Sequence, residues 1–147
     1  MATGIIGSGT GNHLWRILEG RTTTNNAPSG GSAGEAIPTA LGPLPSSAIV
    51  IVRSTAGSAT MTTTVKLWGY STIATQWFPL GVGADALKGV LNAGAAIGET
   101  GADLIQHAEI VSGLFTFDRL YAEITAIGGT STAINVEVLI APASVTA

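Results

Sequence analysis

Apolar and polar residues alternate along residues 113–142, GLFTFDRLYAEITAIGGTSTAINVEVLIAP. Leu120, Ala122, Ile124 and Ala126 fall on one side of this stretch, and Arg119, Tyr121, Glu123 and Thr125 on the other. That is the period of two of a strand with one buried face. Ile134, Val136, Val138 and Ile140 repeat the device against Asn135 and Glu137, and Gly128, Gly129, Thr130 and Ser131 between the two arms suit a tight antiparallel reversal. The pattern predicts a β-hairpin around which the rest of the chain packs.

Further strands are expected upstream. HLWRILE, residues 13–19, sets Leu14, Arg16 and Leu18 against Trp15, Ile17 and Glu19, with large apolar groups on both faces. Residues 48–53 are almost wholly apolar, consistent with a central position in a sheet. In residues 59–70, Met61, Thr63, Val65 and Leu67 oppose Thr64, Lys66, Trp68 and Tyr70, and with residues 48–53 this stretch reads as a second hairpin. Pro79 places TQWFPL, residues 75–80, at a sheet edge or strand end. IQHAEIV, residues 105–111, sets Ile105, His107 and Glu109 against Gln106, Ala108 and Ile110.

The intervening segments are turn-rich. Residues 21–35, RTTTNNAPSGGSAGE, form a polar loop of a length more typical of an extended arm or a binding loop than of a simple connection. Gly89, Gly94 and Gly98 break the helical spacing of Leu87, Val90 and Leu91, so residues 83–100 are expected to be a loop with one or two helical turns at most. An all-β fold follows: an antiparallel β-sandwich, with the jelly roll among its forms. A mixed α+β domain with a helix over residues 83–97 is the alternative. Residues 1–12, with Gly4, Gly7, Gly9 and Gly11 around Ile5 and Ile6, read as a flexible arm, and residues 13–147 as one domain.

Composition sharpens this picture. A chain of 147 residues can bury roughly two thirds of its unfolded surface. Yet only 10% of residues are charged, against roughly 25% in ordinary soluble domains, which suits a chain that hides more than one surface. Six basic residues, scattered singly in a chain of net charge −3, argue against nucleic acid as a partner. No apolar run is long enough for a membrane span, and the opening residues lack the basic start and apolar stretch of a secretory leader. The absence of cysteine excludes disulfides and suits synthesis in a reducing cytoplasm.

The candidate chemistry is thin. GSGTG, residues 7–11, lacks the strand before it and the helix after it that a phosphate loop requires, and the Ser8 context fails as a nucleophile elbow for the same reason. His13 and His107 are not spaced as neighbouring ligands. Glu123 and Glu137 could face the same side, as a glycosidase pair must, or could line a solvated sheet face offset by Arg119. No catalytic residue, cofactor or metal is therefore expected. Trp68, Tyr70, Trp77 and Phe78 concentrate aromatic area that could fill a core, anchor a protein interface or stack on sugars.

MTTTVKLWGY, QWFPLG, GADALKGVLNAGAAIGETG and FDRLYAEITAIGGTSTAINVEVLIAP together resemble small virion structural proteins of tailed bacteriophages, in particular the capsid decoration or cementing class. The resemblance spans about residues 48–142 and lies in texture and order of elements, not in a diagnostic motif. It implies a non-enzymatic β-rich protein, often trimeric, made in the host cytoplasm and placed on the capsid exterior, with the major capsid protein and copies of itself as partners. The expected interface residues are Ile5, Ile6, Leu14, Trp15, Trp68, Tyr70, Trp77 and Phe78, and the arm can add itself to a neighbour's sheet edge or groove. A receptor- or carbohydrate-binding head module, using Trp68, Trp77 or Tyr70, is the alternative function.

Overall fold

The computed structural model describes residues 4–5, 15–36, 47–56, 60–80, 88–100, 105–129 and 134–142. The strands are β1 (Gly4–Ile5), β2 (Trp15–Arg21), β3 (Glu35–Ala36), β4 (Ser47–Ala56), β5 (Thr60–Ser71), β6 (Gln76–Pro79), β7 (Ile97–Thr100), β8 (Ile105–Ser112), β9 (Arg119–Gly129) and β10 (Ile134–Pro142). They form two sheets, ordered β1-β2-β10-β4-β8 and β3-β9-β5-β6, with β7 also on β5, and every pairing is antiparallel. From β2 to β5, and again from β8 to β10, the chain changes sheet at each step. That interleaving, β2-β10-β4-β8 against β3-β9-β5-β6, is the order of an eight-stranded jelly roll.

This path corrects both expected hairpins. β9 pairs with β5 and β3, whereas β10 pairs with β4 and β2, so the two arms lie in different sheets. β4 and β5 are separated in the same way. A glycine-containing stretch follows each first arm, yet the next strand belongs to the other sheet. The true hairpin is β5–β6, closed by residues 72–75, in which Thr75 has φ 52. β6 lies at the sheet edge and ends at Pro79, where a missing N–H costs no ladder bond.

The free edge of β5 is completed piecewise. β6 covers its residues 68–71 and β7 its residues 60–63. Between them, Leu67 N–H donates to the Gly89 carbonyl at 2.8 Å and Leu91 N–H to the Val65 carbonyl at 2.9 Å. Residues expected to be loop or helix are thus used as an extended edge, with one short 3-10 turn at Asn92–Gly94. Asn92 and Ala93 there have φ 56 and 51, a left-handed geometry that interrupts any helix.

Alternation places the core between the sheets. Trp15, Ile17, Ala48, Val50, Val52, Val138 and Ile140 come from one sheet and Val65, Leu67, Leu120, Ala122 and Ile124 from the other, closed by Leu80, Leu91, Ile97 and Leu114. Each fully buried Val, Leu or Ile contributes about 1.5–3 kcal/mol, against about 0.5–1 for an exposed contact such as Lys66 over the Trp68 ring. The interior therefore holds the sandwich shut.

A bulge alters the expected facing of β9. Val65 pairs with Ile124 but Thr64 with Ala126, so Thr125 is the extra residue. Beyond it Ala126 is exposed and Ile127 packs on the core, the reverse of the unbroken alternation. Buried Thr63 is satisfied at this point by donating its hydroxyl to the Ala126 carbonyl at 3.3 Å.

Candidate functional site

The outer face of the β5 sheet carries an aromatic ladder. Trp68 lies opposite Tyr121, and Tyr70 opposite Arg119 on one side and Trp77 on the other. Ring centroids are 5.2 Å apart for Tyr70 and Trp77, and 6.0 Å for Trp77 and Tyr121, both in favourable non-parallel geometry. Trp68 donates its indole N–H to Glu123 at 2.7 Å, and Lys66 Nζ sits 4.4 Å from the centre of its ring. Phe78 belongs elsewhere: it pairs with Gly69 and meets the Phe117 ring at 6.2 Å. Gly69 is required there, because a Cβ would collide with that Phe117 ring.

The polar stretch 22–36 is a strap docked along β9. Asn25 and Ile124 exchange hydrogen bonds, Tyr121 donates to the Asn26 carbonyl at 2.9 Å, and Trp77 donates to the Gly30 carbonyl at 2.9 Å. Arg119 donates to the carbonyls of Ala33 at 2.8 Å and Gly34 at 2.7 Å, and β3 then pairs with Leu120 and Arg119. Gly34, at φ +67, lies so close to the Leu120 carbonyl that no side chain fits. The polar atoms of Trp77, Tyr121 and Arg119 thus clamp this strap, which covers the β9 edge as edge strands require.

The opposite outer face, on the β4 sheet, is apolar around Ile49 and Ile51, with Arg53 opposite Glu137 farther along it. Ala48, Val50 and Val52 of β4 are buried, whereas Ile49 is 37% exposed and Ile51 half-buried. Ile49 pairs with Ile110, which is 71% exposed, and with Ala141, while Ile51 pairs with Ala108 and Leu139. Two apolar cross-strand rows therefore span three strands, exposed at Ala108, Ile110 and Ile49 and covered at Leu139, which is 2% exposed. Sequence reasoning missed this surface. The nearly all-apolar run of residues 48–53 pointed to a central strand, which β4 is, between β10 and β8, but not to the exposure of Ile49 on its outer face.

Beside β8 runs a cleft of about 520 Å³, lined by Leu67, Leu80, Val90 and Leu91 on one side and residues 109–113 on the other. Its charged lining group is Glu109, which accepts the Asn92 N–H at 2.7 Å and pairs with His107.

The expected interface residues separate accordingly. Trp68, Tyr70 and Trp77 share the ladder and are half-buried, and Phe78 closes the core side of β6. Trp15 is corrected: at 1% exposure it fills the core opposite Ile140 and offers a partner no surface. Ile5 has its backbone in β1, opposite Trp15, whereas Ile6 and Leu14, with the residue 7–11 glycines and His13, lie outside the described residues. Glu123 and Glu137 do not form a pair, since β9 and β10 lie in different sheets. Among the described residues no three His, Asp or Glu side chains converge, and no helix is long and apolar enough to cross a membrane. No protein-family model, curated protein or solved structure matches this chain.

Proposed function

We propose that this chain is a non-enzymatic virion structural protein of the capsid decoration or cementing kind, which binds the outside of an assembled phage head as a homotrimer. The observation that carries this reading is the exposed apolar patch on the outer face of the β4 sheet, where Ile110, 71% exposed, and Ile49, 37% exposed, lie opposite each other in adjacent strands. A contiguous apolar sheet face in a thinly charged chain marks a protein contact. The jelly roll recurs in viral capsid and lectin domains, which is support by fold analogy alone.

The mechanism is mass action. A protein that binds only the closed lattice shifts the equilibrium toward that lattice, and three copies joined together multiply modest single contacts. Its partners are then the major capsid protein and itself, and no chemistry is asked of its side chains. Co-sedimentation with purified capsids tests the reading: saturable binding supports it, and protein left wholly in the supernatant contradicts it.

The ladder of Trp68, Tyr70, Trp77 and Tyr121 motivates the second reading, a receptor- or carbohydrate-binding head module. Its polar groups are already engaged by the strap and by Glu123, which weakens it. A glycan array decides: a reproducible sugar hit lost in Trp68→Ala favours it, and an empty array counts against it.

A further inference from the structure

The two edges of the β4 sheet are unlike each other. One ends in β1, only two residues long, which pairs Gly4 with Arg16 and Ile5 with Trp15 of β2. The other ends in β8, eight residues long, which among the described residues pairs with β4 alone. From Ser112 to His107 the β4–β8 register is continuous, its one shift falling beyond, between Val52 and Arg53. This part of β8 has no proline, lysine or bulge to blunt it. Such a continuous edge presents a row of backbone donors and acceptors suited to another extended chain.

The cleft lies along that edge, at residues 109–113 of β8 and just after it. At about 520 Å³ it falls within the range of ligand-sized sites, and Leu67, Leu80, Val90 and Leu91 make its far wall apolar. It asks for an extended segment with small or aliphatic side chains and no acid to oppose Glu109. Residues 1–12, MATGIIGSGTGN, meet each requirement: they carry no charged side chain, they are rich in glycine, and they hold the pair Ile5-Ile6. Gly4 and Ile5 already adopt strand pairing.

We infer that the β8 edge and its cleft receive residues 1–12 of a second copy of this chain. Strand order excludes the same copy while β1 is formed. Four strand spacings separate β1 from β8, about 19 Å at about 4.8 Å each. Exchange replaces a two-residue pairing on β2 with a longer one on β8. Because donor arm and acceptor edge are different surfaces, the contact is heterologous, and repeated about an axis it closes a ring. This inference rests on the homotrimer part of the proposed function and assigns its contact.

The chain has no cysteine, so the contact can be read by cross-linking. Full-length chains carrying Ser8→Cys and Ser112→Cys are mixed under mild oxidation and separated without reductant, and Ser8→Cys with Ile73→Cys serves as the control, Ile73 being 99% exposed on a remote turn. The mixed Ser8–Ser112 adduct is expected to exceed the control by about tenfold, since docking raises the local concentration of the pair. Equal yields, or a wild-type chain that sediments as a monomer, overturn the inference. A parallel capsid co-sedimentation separates the two readings. Capsid binding without the adduct overturns arm exchange and leaves the decoration reading standing. The adduct without capsid binding supports arm exchange and counts against decoration.

Discussion

Asn25 and Ile124 complete each other's hydrogen bonds across the edge of β9. The N–H of Asn25 donates to the Ile124 carbonyl at 3.2 Å, and the N–H of Ile124 donates to Asn25 Oδ1 at 2.5 Å. The amide side chain stands in for a main-chain carbonyl, so one residue does the work of a paired strand. Its Nδ2 also donates to the Ala122 carbonyl at 3.1 Å and to Tyr121 Oη at 2.9 Å. Asn25→Ala removes three side-chain hydrogen bonds in a half-buried setting, and a loss of about 1–3 kcal/mol is expected. Chemical denaturation checks the magnitude. Amide exchange should localise the change to residues 120–126, and an unchanged exchange pattern would contradict the clamp.

Gly69→Ala tests the packing at the end of the core. Its Cβ would meet the Phe117 ring, which also contacts Phe78. Overpacking of this kind costs about 1–3 kcal/mol. Gly69→Ala together with Phe117→Leu should recover part of that loss. Additive losses in the double variant would show that the ring contact is not the cause.

Asp118 gives the β5–β6 turn a dependence on acid. Its carboxylate accepts the Thr72 main-chain N–H at 2.7 Å, and this bond, with a second from the Thr72 side chain, holds its carboxyl below the usual range. A folded value below the unfolded one means that the stabilisation is complete above about pH 3.9 and is lost as pH falls through the folded value. Protection of the Thr72 amide, its exchange measured against the intrinsic rate at each pH, should therefore fall in acid. In Asp118→Asn that protection should already be low at neutral pH, with the acid step gone.

How much of this was legible depends on whether a feature is local. The facing of β5, with Thr63, Val65 and Leu67 inward and Lys66, Trp68 and Tyr70 outward, is a local property and follows from alternation. Strand partners are not local. The glycines at 128–129 signalled a reversal, but only packing of one sheet on the other decides that β9 and β10 part company. The bulge at Thr125 is likewise set by the register with β5, and β7, four residues containing Gly98, is too short to show a period. At the candidate surfaces, aromatic clustering pointed to Trp68, Tyr70 and Trp77. Trp15 was misplaced because HLWRILE carries apolar groups on both faces, and alternation alone does not say which face meets the second sheet. The apolar run of residues 48–53 pointed to a central strand, as β4 is between β10 and β8, but not to the exposed pair of Ile49 and Ile110 on its outer face.

The apolar face should be separable from stability. Ile110 is 71% exposed, so Ile110→Asp is expected to change folding stability by no more than about 0.5 kcal/mol. A large thermal destabilisation would mean that Ile110 supports the fold itself.

Sedimentation of the protein with purified phage capsids, wild type beside Ile110→Asp, tests the central proposal most directly. Saturable binding of the wild type, with affinity reduced about tenfold or more in the variant, corresponds to one lost contact of about 1.4 kcal/mol per copy and is the expected result. A wild-type chain that never pellets with capsids, or a variant that binds as tightly as the wild type, would contradict it.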